Sequence, residues 1–116
     1  MALSLLSHLT HPHPDAPRID LSSNLAGVVL VSPWVTFEQN SRAFTANAAK
    51  DLLDRRALKS WSDAFMGSAA VDEYNSPLTA SPDWWQDAKV SQVCMTAGSD
   101  ELFADDVEVF AKKLKV

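Results

Sequence analysis

The sequence of 116 residues is poor in several residue types, and each shortage excludes a class of protein. Its one cysteine, Cys94, cannot form an intramolecular disulfide, which excludes a disulfide-stapled scaffold and favours an intracellular, reducing compartment. No basic run is longer than two residues, so we expect no nucleic-acid binding, because phosphate neutralisation needs a concentrated basic face. No apolar run approaches the roughly 20 residues of a membrane helix, so we expect no membrane span in this segment.

The N-terminus and the bulk composition add two further exclusions. Residues 1–9 are apolar, but they lack a basic flank and a small-residue cleavage site, so a secretory leader is not indicated. Hydrophobic residues make up 47% of the chain, which argues against intrinsic disorder, and the formal net charge is −5. These values are typical of one small globular domain.

Hydrophobic patterning predicts five elements in the order helix, strand, helix, strand, helix. Residues 25–33 form an apolar run that is rich in β-branched residues, is closed by proline and shows no alternation, which is typical of a strand buried on both faces. Residues 90–97 are a second candidate of this kind. Apolar residues at helical spacing predict helices over residues 2–9, 51–65 and 104–114. This order predicts an α/β fold with two parallel strands flanked by helices.

Local signals predict the ends and the buried faces of these elements. Asp51 is the predicted N-cap of the second helix, and Gly67 fits its C-terminal stop. Cys94 lies in the middle of the second strand, where we expect a buried and unreactive thiol. The side chains that we expect to face the core are Ala2, Leu5, Leu6 and Leu9 in the first helix, Leu53, Ala57, Trp61, Ala64 and Phe65 in the second, and Val107, Phe110, Ala111 and Leu114 in the third.

The loop of residues 98–102 follows the second strand and precedes the last helix, and it contains Asp100. Catalytic groups collect at the carboxyl ends of strands in open α/β sheets. A carboxylate here lies near a helix N-terminus, whose dipole and free N–H groups favour the ionised form that a catalytic histidine requires. The alternative is that Asp100 is an N-cap or turn residue, which is a common arrangement. The residues alone leave both interpretations open.

The histidines near the N-terminus also allow two interpretations. His11 and His13, with Asp15, have residue types that bind metals. Their Pro-rich loop gives no fixed geometry and no evident supporting partner, so a solvated loop is the favoured interpretation. We therefore expect no metal site and no cofactor.

Three segments carry a family resemblance: LAGVVLVSPW, YNSPLTASPDWW and VCMTAGSDELFADDVEVFAKKL. They resemble the hormone-sensitive-lipase-like group of α/β-hydrolases, and in particular fungal esterases of the steryl-acetyl-hydrolase type. The resemblance covers the whole chain, residues 1–116, as a single partial α/β-hydrolase domain in which residues 34–87 belong partly to a cap or lid. It implies a serine hydrolase that cleaves small-molecule carboxylic esters through an acyl-enzyme.

The resemblance also implies roles for individual residues. In this family a glycine, an acid, a leucine and an acidic pair follow the second-last sheet strand, and the matching residues here are Gly98, Asp100, Leu102, Asp105 and Asp106. Asp100 would be the catalytic triad acid, and Asp105 a structural residue of the following helix. Trp34, which ends the Ser-Pro-Trp segment, and Phe37, in the loop that follows, are candidates for lining the substrate pocket, as are Trp84 and Trp85. Ordinary aromatic packing is the alternative for all four.

Other family features are missing from this sequence. Its three glycines cannot form the G-x-S-x-G elbow, and an H-G-G-G oxyanion loop does not occur. All three histidines, His8, His11 and His13, precede Asp100, whereas the triad histidine follows the acid in this family. The opening MALSLLSHL resembles the helix that follows the nucleophile. We therefore expect a stretch between nucleophile and histidine that retains only the acid and is inactive alone.

The alternative is a non-catalytic remnant or interaction protein. In a full hydrolase sheet, the strand of residues 25–31 has two neighbours, and the neighbour that carries the nucleophile is missing from this sequence. We therefore expect an exposed strand edge that favours self-association and a poorly stable monomer.

Overall fold

A computed structural model of the protein describes residues 1–114. Its elements follow the predicted order, with one additional short helix, α2. The helices are α1 (Ala2–Thr10), α2 (Ala43–Ala46), α3 (Arg55–Met66) and α4 (Ala104–Lys113), and the strands are β1 (Val28–Val31) and β2 (Val93–Thr96). Two 3-10 turns, Pro77–Thr79 and Pro82–Trp85, lie between α3 and β2 and begin at prolines, whose fixed φ suits the first position of such a turn.

The strands β1 and β2 pair in parallel, with Val28 opposite Val93. An isolated bridge between Leu25 and Val90 continues this pairing toward the N-terminal ends of the strands. A parallel pair needs a long crossover connection, and the segment that contains α2 and α3 provides it. The predicted α/β fold with two parallel strands flanked by helices is confirmed. None of the described helices is both long enough and apolar enough to cross a lipid bilayer.

Two apolar clusters hold these elements together. In the first, Leu30 of β1 is buried together with residues of α1 and α4. The fully buried ring of Phe110 meets Trp85 edge-on with the centroids 5.3 Å apart, a geometry that contributes about 0.5–1.5 kcal/mol beyond area burial. The second cluster contains Phe44, Leu58, Leu102, Phe103 and Val107. Because Leu102 and Phe103 belong to it, this cluster anchors the chain between β2 and α4.

The prediction that the strands are buried on both faces is wrong. Val29 and Val31 are 70% and 73% exposed, and they point away from buried Leu30 because side chains alternate along a strand. Cys94 is opposite Val29 in the register and is also exposed, so the expectation of a buried thiol is wrong as well. The described helices cover the Leu30 face of the sheet, and the apolar sequence pattern could not show which face would be covered.

The buried helix faces agree only in part with the predicted ones. The predicted core residues that are buried are Leu6, Leu9, Val107, Phe110 and Leu114. The predicted core residues that are exposed are Ala2, Leu5, Trp61, Ala64, Phe65 and Ala111. The leucines of α1 fit two overlapping stripes, and the one that packs inward is Leu3, Leu6 and Leu9 at i, i+3 spacing.

The N-cap of α3 is Asp54 and not Asp51. The Asp54 carboxylate accepts hydrogen bonds from the backbone N–H groups of Arg56 and Ala57. Gly67 ends this helix with a φ of +55°, as predicted, since glycine adopts positive φ without strain. Asp51 lies three residues before the cap and contacts a different part of the molecule.

Candidate functional site

The strand-end loop (residues 98–102) lies between the end of β2 and the start of α4. Asp100 occupies a turn in this loop, and α4 begins only at Ala104, with Phe103 at the N-cap position and no side-chain cap. The interpretation of Asp100 as an N-cap is therefore wrong, and the turn interpretation fits. Asp100 lies beyond the carboxyl end of β2, the edge at which the sequence predicted it.

The carboxylate of Asp100 points to solvent. Its side chain is 66% exposed, and its Oδ1 accepts a hydrogen bond from Lys50 Nζ at 2.8 Å. An exposed pair of this kind contributes at most about 1 kcal/mol, because both charges remain hydrated. The carboxylate is accessible to a partner molecule, and its present partner, the Lys50 ammonium, can be exchanged at low cost.

The backbone around Asp100 is held by two side chains from the α2–α3 connection (residues 47–54). Buried Asn47 donates through Nδ2 to the carbonyl oxygens of Ser99 and Glu101, at 3.1 and 2.9 Å, on either side of Asp100. The Asp51 carboxylate accepts from the N–H of Leu102 at 2.7 Å. The strand-end loop is thus fixed by residues about 50 positions earlier in the chain.

Glu101 turns in the opposite direction from Asp100. Its Oε1 accepts a hydrogen bond from the hydroxyl of Ser32, which directly follows β1, at 2.8 Å. Within residues 1–114, the buried Oε2 of Glu101 has no hydrogen-bond partner. No sequence signal favours Glu101 over Asp100, because the direction of two adjacent side chains in a loop is determined by the turn.

A pocket of about 520 Å³ opens beside the end of β1. Six of its lining residues are the exposed strand residues Val29 and Val31 and the aromatic residues Trp34, Phe37, Trp61 and Phe65. Trp34 meets Phe37 edge-on with the centroids 5.5 Å apart, and it stacks on the ring of Phe103, a residue of the second apolar cluster, at 5.7 Å. Trp34 therefore lines the pocket and also packs against the second apolar cluster.

The pocket and the predicted acid do not coincide. Asp100 is not among the residues that line the pocket, so the structure does not bring it together with Trp34 and Phe37. Trp84 and Trp85 do not line it either, because Trp85 is buried in the core and Trp84 stacks on His11. At the carboxyl end of β1, the pocket is lined by Val31 and Pro33, which are the sequence neighbours of Ser32.

Two acidic residues, Asp105 and Asp106, lie at the start of α4. The Asp105 carboxylate accepts from the backbone N–H of Ala43 at 2.8 Å and lies 3.7 Å from the guanidinium of Arg42. These contacts tie α4 to α2 and fit the structural role that the resemblance implies. Asp106 is buried, and burial raises its pKa above the ordinary value of 3.8, with the neighbouring Asp105 charge adding to the rise.

The loop that contains the N-terminal histidines is mostly exposed, as expected, but the rings of His11 and His13 are half-buried against aromatic side chains. His11 stacks on Trp84 with the centroids 3.9 Å apart, and His13 meets Tyr74 edge-on. The ring of His8 is buried, where its Nδ1 accepts from the backbone N–H of His13. In the described part of the chain, no group of three histidine, cysteine or acidic side chains is placed to hold a metal ion.

Comparison with known proteins identifies the family of this fold. No curated protein and no solved structure matches the chain. Residues 4–116 match the family described as the alpha/beta hydrolase fold. This match covers nearly the whole sequence, and the family's fold agrees with the parallel strands and flanking helices. The chain therefore belongs to the α/β-hydrolase fold family.

Proposed function

We propose that this chain is part of a carboxylic-ester hydrolase of the hormone-sensitive-lipase-like group, acting on a small-molecule ester. The observation that carries the proposal is the apolar pocket beside the carboxyl end of β1, within reach of the edge at which α/β folds place their chemistry. A volume of about 520 Å³ suits an acyl chain or a small apolar alcohol. The sequence resemblance is compatible with acetyl esters of sterols, short acyl esters and xenobiotic esters.

The proposed roles follow from the chemistry of ester cleavage. Trp34 and Phe37 bind the apolar part of the ester, since aromatic rings provide large contact areas with little rotamer entropy to lose. The strand-end loop supplies the acid that orients the catalytic histidine. Its two carboxylates are Asp100, to which the sequence resemblance assigns this role, and Glu101. Residues 34–87 belong partly to a cap or lid over the pocket.

We also propose that this chain does not hydrolyse esters by itself. A serine hydrolase requires a nucleophile elbow and a histidine after the acid, and this sequence has three glycines and no histidine beyond His13. We expect no hydrolysis of p-nitrophenyl acetate above background. Turnover that Asp100→Asn abolishes would contradict this part of the proposal.

Ligand binding tests the pocket directly, because two of the four tryptophans line it. Titration with decanoic acid should change the tryptophan fluorescence in a saturable way. The change should be reduced in Trp34→Phe and in Trp61→Phe, lost in the double variant, and retained in the matched control Trp84→Phe. A response that depends on Trp84 instead would contradict an acyl pocket at Trp34.

The coding sequence on both sides of this chain tests the assignment to the hydrolase. An in-frame H-G-G-G and G-x-S-x-G before the first helix, together with a histidine after α4, would support a serine hydrolase. Stop codons on both sides would refute it and favour the second candidate.

The second candidate function is a non-catalytic interaction protein. It is favoured by the exposure of Val29 and Val31 and by the fact that β1 has one strand neighbour among the described residues. Backbone groups on a free strand edge can pair with another chain. Self-association should then rise with concentration in sedimentation velocity, and Val31→Lys should reduce it relative to Val109→Lys, a change at an exposed valine of α4. A monodisperse monomer with a sharp, reversible thermal transition would contradict this candidate.

A further inference from the structure

Two adjacent carboxylates share the strand-end loop, and only one of them faces the sheet. Asp100 is exposed and bonded to Lys50. The side chain of Glu101 folds back over Gly98 so closely that a Cβ at Gly98 would lie 3.0 Å from Glu101 Oε1. Glycine at position 98 thus leaves room for the inward direction of Glu101.

The two oxygens of Glu101 have different environments. Oε1 accepts the Ser32 hydroxyl hydrogen at 2.8 Å, which links the segments that follow β1 and β2. Oε2 is buried and has no hydrogen-bond partner within the described residues. An unpaired carboxylate oxygen in such a position loses its water without compensation, so it is a strong acceptor for an N–H donor that reaches it.

The backbone at Ser32 is strained in a way that supports this arrangement. Ser32 has a φ of +46°, which is uncommon for a residue with a side chain, and it precedes Pro33, which further restricts its conformation. Its N–H donates to the carbonyl oxygen of Thr96 at 2.7 Å, and its hydroxyl binds Glu101. Strained residues of this kind are concentrated at functional sites.

We propose that Glu101, in place of Asp100, is the carboxylate that receives the ring N–H of the catalytic histidine. This inference rests on the proposed hydrolase function and names the acid of the same site. The imidazole N–H donates to Glu101 Oε2, and the carboxylate holds the ring in one tautomer and stabilises the imidazolium. Two hydrogen bonds position Glu101: the Ser32 hydroxyl donates to its carboxylate, and the Asn47 amide donates to its backbone carbonyl oxygen. Asp100 stays at the surface with Lys50.

The intact chain allows a direct test with 4-methylimidazole, which carries the functional ring of a histidine side chain. In protein with ¹³C-labelled carboxyl groups, titration at neutral pH should shift the Glu101 carboxyl resonance saturably and leave that of Asp100 unchanged. Glu101→Gln retains an oxygen for the Ser32 hydroxyl and removes the charge, so it should weaken binding at least about tenfold. The matched variant Asp100→Asn should bind as the wild type does. A response at Asp100, or none at either residue, would overturn the inference.

Kinetics of the complete enzyme separate this inference from the proposed function. In a protein that includes the serine and histidine segments, Glu101→Gln should lower kcat on the order of 10⁴-fold with little change in KM, while Asp100→Asn retains most activity. If Asp100→Asn is the inactive variant, the inference fails and the hydrolase assignment stands. If the complete wild-type protein cleaves no ester, the proposed function itself fails.

Discussion

Replacement of Asp51 with alanine tests whether the strand-end loop is held from the α2–α3 connection. The Asp51 carboxylate accepts two hydrogen bonds, from Leu102 N–H at 2.7 Å and from Leu53 N–H at 3.0 Å. Leu102 is buried, so its N–H loses its partner at a cost of about 1–3 kcal/mol. Leu53 is half-buried and water can replace its bond at little cost. We therefore expect Asp51→Ala to lower the free energy of unfolding by about 2 kcal/mol.

Urea unfolding followed by far-UV circular dichroism measures this loss, which corresponds to a decrease of roughly 8 °C in Tm for a domain of this size. The matched control is Asp63→Ala, which removes an exposed i, i+4 ion pair with Lys59 and should cost about 0.5 kcal/mol or less. Amide exchange of Leu102 should accelerate in Asp51→Ala alone. If both variants unfold within about 0.5 kcal/mol of each other, the loop is not held in the way described.

Three further predictions concern burial. Because burial raises the folded-state pKa of Asp106 above its unfolded value of 3.8, ionisation destabilises the fold progressively as pH rises above 3.8. Asp106→Asn should therefore raise the urea midpoint at pH 7 and leave it nearly unchanged below pH 3.8; equal effects at both pH values would contradict this. Phe110→Ala should cost about 3–5 kcal/mol and Val109→Ala, at an exposed position, less than about 0.5 kcal/mol, as urea unfolding can show. Exposed Cys94 should react with a maleimide in the folded chain nearly as fast as in urea, and protection in the folded chain would show that the thiol is covered.

The order of elements was predictable from sequence because it depends on local signals. The apolar runs around Leu30 and Met95 are too short for helices and are bounded by turn residues, and the periodicity of residues 104–114 is helical. These features determine element type almost independently of the rest of the chain. The match of predicted and observed order reflects that independence.

The direction in which side chains face was predictable only in part, because it depends on tertiary partners. Val29 and Val31 have the composition of buried residues, yet no helix within residues 1–114 covers them. Asp51 and Asp54 both have side chains suitable for capping α3. Asp54 caps the helix, whereas the Asp51 carboxylate accepts a hydrogen bond from the N–H of Leu102, about 50 residues later in the chain. Such choices are made between segments and leave no local signal.

The candidate site shows the same limit at the level of single residues. The strand-end loop and its carboxylates were predictable from the sequence, since the end of a strand before a helix is a recognisable position. Asp100 and Glu101 could not be distinguished, because one residue along a turn reverses the direction of a side chain. The distinguishing features are the contact with Ser32 and the close approach of Glu101 to Gly98.

The hydrogen bonds from Asn47 and Asp51 to the strand-end loop have a consequence for how this protein can change during evolution. A substitution at either position alters the loop from a distance of about 50 residues in the chain. A change of loop length or sequence would in turn leave the buried Asn47 amide without acceptors. Residues 47–51 and 98–102 should therefore be inherited as one unit, with changes in one segment tolerated only alongside changes in the other.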